Sequence, residues 1–151
     1  MADLKPILLV EDNPKDIELT LAALEKSQLA NEVVVLRDGA EALDYLRCTG
    51  PFADRLGGTP AVVLLDLKLP KVDGLEVLSA IKNDPKLRSL PVVMLTSSRE
   101  ERDVVRSYQL GVNAFVVKPV DFREFFQAIQ EVGAFWAVLN EPPPGLGLRA
   151  L

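Results

Sequence analysis

Two kinds of hydrophobic pattern alternate along the chain. Ile7 to Val10, Val33 to Leu36, Ala61 to Leu65, Val92 to Leu95 and Ala114 to Val117 are continuous apolar runs. A strand apolar at both parities is covered on both faces, which predicts a buried parallel sheet. The segments between these runs have helical period. In the first, Asn13 can cap, Pro14 takes the opening position, and Ile17, Leu21 and Leu24 share one face. Leu43 and Leu46 mark the second helix, Leu75, Leu78 and Ile81 the third, and Val104, Val105 and Tyr108 the fourth. The last helical stretch, from about 121 to 139, is apolar more widely: Phe122, Phe125, Phe126, Ile129, Val132, Phe135, Trp136 and Leu139.

Five strands alternating with five helices predict an α/β fold with right-handed crossovers. A doubly wound, flavodoxin-like sheet of order 2-1-3-4-5 follows, with its site beyond the strand C-termini at the switch point. Residues 47–60 are rich in Gly and Pro and read as a loop. Residues 1–140 are expected to form one domain, and residues 141–151 a Pro/Gly-rich tail with no output domain.

Charge narrows the choice of partner. A net charge of −5 and a pI near 4.8 disfavour nucleic acid, because neutralising phosphates needs clustered Lys and Arg. No apolar run approaches the roughly 18 residues that span a bilayer, and the N-terminus lacks a secretory layout. A cytoplasmic protein is expected. Cys48 is the sole cysteine and histidine is absent, so an intrachain disulfide and histidine-based catalytic triads are excluded.

Glu11 and Asp12 follow the first strand, Asp66 the third and Lys118 the fifth, while Thr96 ends the fourth. A doubly wound sheet brings all five to one edge. Two unit charges about 5 Å apart interact by roughly 3 kcal/mol at an effective dielectric near 20, so three clustered carboxylates need positive compensation. A hard divalent cation with oxygen ligands, such as Mg²⁺, and Lys118 can supply it. The combination suits phosphoryl transfer, with Asp66 as the nucleophile. Any one of these residues alone could be a solvated strand end or a helix cap; their joint placement carries the argument.

The stretches LLVEDNPKD, VVLLDLKLPKVDG, VVMLTSS and FVVKPV resemble the receiver domains of bacterial two-component response regulators, from about Pro6 to Leu139. The resemblance implies that Asp12, Asp66 and the backbone carbonyl of Lys68 ligate Mg²⁺, with Glu11 assisting through water. It implies that Asp66 takes a phosphoryl group from a histidine kinase, that Thr96 and Lys118 contact phosphoryl oxygens, and that Phe115 is an aromatic switch. The Lys118–Pro119 peptide is often cis in that family, and X-Pro bonds tolerate this state. Because the chain has no histidine, the phosphohistidine donor lies on another protein.

TGPFAD, SYQLGVNAFVVKPVDF and FWAVLNEPPP further resemble stand-alone receivers encoded with bacterial phytochromes, which implies a phytochrome kinase, an unidentified downstream protein and homodimerisation through the fourth helix, fifth strand and fifth helix. Phe125, Phe135 and Val138 lie beside the stripe that would cover the sheet and are the expected dimer contacts. Three rival readings are weaker. A flavin-binding relative would need a phosphate-cradling first loop, and this one is acidic. An aspartyl phosphatase would carry D-x-D, whereas Lys68 stands at the second position. A receiver that keeps the fold without phosphorylation would lack one or more site residues.

Overall fold

A computed structural model describes residues 5–26, 31–56, 58–97, 100–118 and 122–134. The strands are β1 (Ile7–Val10), β2 (Val33–Leu36), β3 (Val62–Leu65), β4 (Val92–Thr96) and β5 (Ala114–Val117). The helices are α1 (Pro14–Lys26), α2 (Gly39–Arg47), α3 (Gly74–Lys82), α4 (Glu101–Gln109) and α5 (Phe122–Ala134). All strand pairings are parallel, in the order β2-β1-β3-β4-β5, as the alternation of patterns predicts.

Strand alternation divides the core into two layers. Leu8, Val10, Val63, Leu65, Val92 and Met94 face one layer, which holds Val77, Leu78 and Ile81 of α3 and Ala42, Tyr45 and Leu46 of α2. Ile7, Leu9, Val62, Leu64, Val93 and Leu95 face the other, against Ile17, Ala23 and Leu24 of α1 and Ile129 of α5. The central strands β1, β3 and β4 are buried throughout, while edge strand β5 is only half-buried. Burying one large aliphatic side chain stabilises by about 1.5–3 kcal/mol, so these layers supply the main driving force.

Local chemistry sets the helix starts. The Asn13 side chain accepts from the Lys15 and Asp16 N–H groups at 2.9 and 3.2 Å, and Pro14 opens α1. Asp38 caps α2 through the Glu41 N–H, and Asp73 caps α3 through the Glu76 N–H.

The segment 47–60, read from sequence as a loop, contains a 3₁₀ turn at Gly50–Phe52. Arg55 pins it: the guanidinium lies 4.1 Å from the Tyr45 ring centroid, and Nε donates to the Tyr45 carbonyl at 2.9 Å. At the opposite edge of the sheet from the site, Lys82 Nζ donates to the carbonyls of Arg88 and Leu90 and to the Asn113 side chain, joining α3 to the approaches of β4 and β5. Pro119, Phe135, Val138, the side chain of Phe125 and the tail 141–151 lie outside the described residues.

Candidate functional site

Backbone bonds that continue the sheet past its C-terminal edge hold the site in place. Asp66 N–H donates to the Val10 carbonyl at 3.0 Å, Glu11 N–H to Leu36 at 2.9 Å, and Lys118 N–H to Thr96 at 2.7 Å. Each candidate side chain therefore leaves the last ordered rung of a rigid sheet, which is why residues far apart in sequence meet.

The meeting is close. Ligand oxygens of Glu11, Asp12 and Asp66 lie within 4.8 Å of one another, Glu11 and Asp66 buried and Asp12 exposed. Lys118 Nζ donates to Glu11 Oε1 at 2.5 Å and to Asp16 Oδ2 at 2.9 Å, and stands 3.8 Å from Asp66 Oδ1. The last distance is an ion-pair approach, too long for a hydrogen bond. Both Glu11 oxygens are engaged, because Oε2 accepts from the Asn13 N–H at 3.2 Å. Buried Thr96 ends the neighbouring strand beside Asp66.

Burial governs the ionisation of this cluster. It pushes Glu11 up to about 7, against the hydrogen bond from Lys118 and with the Asp66 charge acting in the same upward direction. Burial also raises Asp66, opposed by Lys118 and by the hydrogen bonds from Thr96 and Leu67. For Lys118 burial works downward, but the hydrogen bonds to Glu11 and Asp16 and the charge of Asp66 outweigh it and hold the amine above its ordinary value. The ammonium stays charged, and the buried carboxylates are short of positive charge despite it.

An open cleft of about 530 Å³ adjoins the cluster, lined by Asp12, Lys68, Asp73 and Asp103 with Leu67, Leu69, Pro70 and Leu75. The loop from β3 to α3 forms one wall of this cleft, and Lys68 on it is exposed. Close packing fixes this loop. A Cβ at Gly74 would lie 2.2 Å from the Asp66 carbonyl oxygen, and one at Gly39 would lie 1.8 Å from that of Val72.

Phe115 is half-buried and packs on the α2–α3 side of the core. Its register partner is Met94, two residues before Thr96, so Thr96 and Phe115 share one face of the sheet. All five residues of the predicted constellation are thus at one edge. The sequence reading missed Asp16. An acidic residue in the first turn of a helix is ordinary, since it complements the helix dipole, and nothing in its spacing points to Lys118.

Comparison with known proteins places the chain in one family. The family model described as the response regulator receiver domain matches residues 7–130. The response regulator Rcp1 of Synechocystis sp. is 42% identical over 132 residues, covering 87% of this chain and 88% of its own length. A crystal structure of the Mn²⁺-bound form of Rcp1 superposes with a TM-score of 0.85 at 40% identity, over 92% of this chain and 99% of that one. The phosphorylated cyanobacterial phytochrome response regulator RcpA is 44% identical with a TM-score of 0.86, over 93% and 99% of the two chains. The bacteriophytochrome response regulator AtBRR is 74% identical with a TM-score of 0.76, over 93% of this chain and all of that one.

Proposed function

The chain belongs to the response regulator receiver domain family, and from that premise we propose that it is the phosphoacceptor of a two-component phosphorelay, with Asp66 taking the phosphoryl group. The observation that carries the reading is the setting of the Asp66 carboxylate: buried, 3.8 Å from Lys118, and within 4.8 Å of ligand oxygens on Glu11 and Asp12. In the transfer, an Asp66 oxygen forms a P–O bond while the P–N bond of a phosphohistidine on another protein breaks, and the departing imidazole nitrogen takes a proton. The chain acts on itself alone, accepting the group and losing it to water, rather than turning over a separate substrate.

The donor set fits a hard divalent cation, since every ligand atom is oxygen and the carboxylates are undercompensated. Asp12, Asp66 and the Lys68 carbonyl would hold Mg²⁺, with Glu11 reaching it through water. Bound there, the ion neutralises charge on the transferring oxygens. Thr96 and Lys118 orient and neutralise the phosphoryl group from the β4 and β5 side, and Phe115 carries the change to the surface. Thr96 is buried at the end of β4, next to the β3 end that carries Asp66, so its hydroxyl can turn to a phosphoryl oxygen there.

The similarity to the cyanobacterial phytochrome response regulator RcpA and the bacteriophytochrome response regulator AtBRR supports a bacterial phytochrome as the histidine kinase. No helix among the described residues is long and apolar enough to cross a membrane. Homodimerisation through α4, β5 and α5 is supported by the exposure of Val105 and Tyr108 on α4. The decisive experiment is labelling with acetyl phosphate and Mg²⁺, which Asp66→Asn should abolish. Undiminished labelling of that variant refutes the assignment.

A further inference from the structure

Lys118 makes its two hydrogen bonds to Glu11 and Asp16, and only approaches the carboxylate it would serve. Glu11 cannot follow Lys118 far, because its other oxygen is tied to the Asn13 N–H. Asp16 is equally fixed at its backbone, which is held in the first turn of α1 by the Asn13 cap. The two acceptors form a rigid fork on the β1–α1 side of the ammonium, while Asp66 lies on the β3 side. The Lys118 side chain is 9% exposed and that of Asp16 is 32% exposed, so this pair is reached by water on the Asp16 side only.

We infer that Asp16 is a positioning residue that holds the Lys118 ammonium in a resting place short of Asp66, and that the Lys118–Asp16 pair opens when an anionic group is carried on Asp66. The inference rests on the phosphoacceptor reading of Asp66. Its logic is competitive: Lys118 has three N–H donors and faces three carboxylates, and a phosphoryl group adds acceptors about −1.5 to −2 in charge that must be met at shorter range than 3.8 Å. Every interaction Lys118 gives up on moving subtracts from the gain. Removing Asp16 lowers that opposition without touching Asp66 or Thr96. Because Asn13, not Asp16, caps α1, the helix start survives the substitution.

The test is titration of the full chain with beryllofluoride at saturating Mg²⁺, followed by calorimetry, on the parent, Asp16→Asn, Asp16→Glu, Asp103→Asn and Asp66→Asn. Asp16→Asn should bind about two- to fivefold more tightly, the range expected for loss of a partly exposed ion pair. Asp16→Glu, which restores the acceptor, should return toward the parent value. Asp103→Asn removes a negative charge from the cleft wall without freeing Lys118 and should change affinity less. Equal affinity in parent and Asp16→Asn, or an equal gain in Asp103→Asn, overturns the role of Asp16 while leaving the phosphoacceptor reading intact. Failure of the parent to bind beryllofluoride, or binding that persists in Asp66→Asn, overturns both.

Discussion

Gly39 lies against the backbone of Val72 so closely that an added Cβ would stand 1.8 Å from the Val72 carbonyl oxygen. Around this contact, the Gly39 N–H donates to the Pro70 carbonyl at 3.4 Å, and Lys71 pairs with the α2 cap Asp38 at 3.6 Å. The start of α2 is therefore a backstop for the β3–α3 loop, the loop that presents Lys68. Gly39→Ala should displace the loop, destabilising the protein by about 1–3 kcal/mol as overpacking does. It should also weaken Mg²⁺ binding, measured by calorimetric titration beside urea unfolding. Mg²⁺ affinity equal to the parent's in the folded variant would refute the link between α2 and the cation site.

Thr96→Ala removes a buried hydroxyl at the end of β4 that sits on the same sheet face as Phe115. Labelling of Asp66 should remain possible, while the conformational response is lost. Nuclear magnetic resonance of the Phe115 ring should show a change on beryllofluoride addition to the parent and a much smaller one in the variant. A Phe115 signal that does not move in the parent contradicts its role as the switch.

The raised carboxyl of Glu11 sets a pH dependence. Its ordinary value is 4.5 and its folded value is about 7, so folding favours the protonated form. That contribution is complete below pH 4.5, where the unfolded chain is protonated too, and it is lost as pH rises through about 7. Without divalent cations the protein should be less stable at pH 8 than at pH 6 by on the order of 1 kcal/mol, and Glu11→Gln should flatten the slope. If Mg²⁺ is held by the ionised cluster, its stabilising effect should grow over the same interval. Urea midpoints at the two pH values, with and without Mg²⁺, check both statements.

Val105 and Tyr108 are exposed at 47% and 53% on α4, the helix that connects β4 to edge strand β5. If this face joins two copies, sedimentation of the parent should show a dimer at micromolar concentration, and Tyr108→Glu or Phe135→Glu should shift it toward monomer. Beryllofluoride should change the dimer affinity, because any state that binds its neighbour better is favoured by association. A parent that stays monomeric at high micromolar concentration with and without beryllofluoride refutes the dimer.

The order of elements was legible in the chain because each signal is local. Runs such as Val62–Leu65 are apolar at every position, which only a strand covered on both faces accommodates, and Asn13–Pro14 announces a helix by hydrogen-bonding chemistry within four residues. The place of Glu11, Asp12, Asp66, Thr96 and Lys118 followed from the same signals, since a doubly wound sheet brings strand ends together whatever its side chains are. Tertiary structure decided the contacts that depend on direction and close approach. Asp16 turns back from the first turn of α1 to Lys118, 102 residues away, and Gly39 meets Val72 only because α2 and the β3–α3 loop are laid side by side. Neither contact has a period or a spacing to betray it. The ionisation of Glu11 is likewise a property of burial and of its neighbours, and no residue type carries that in its name.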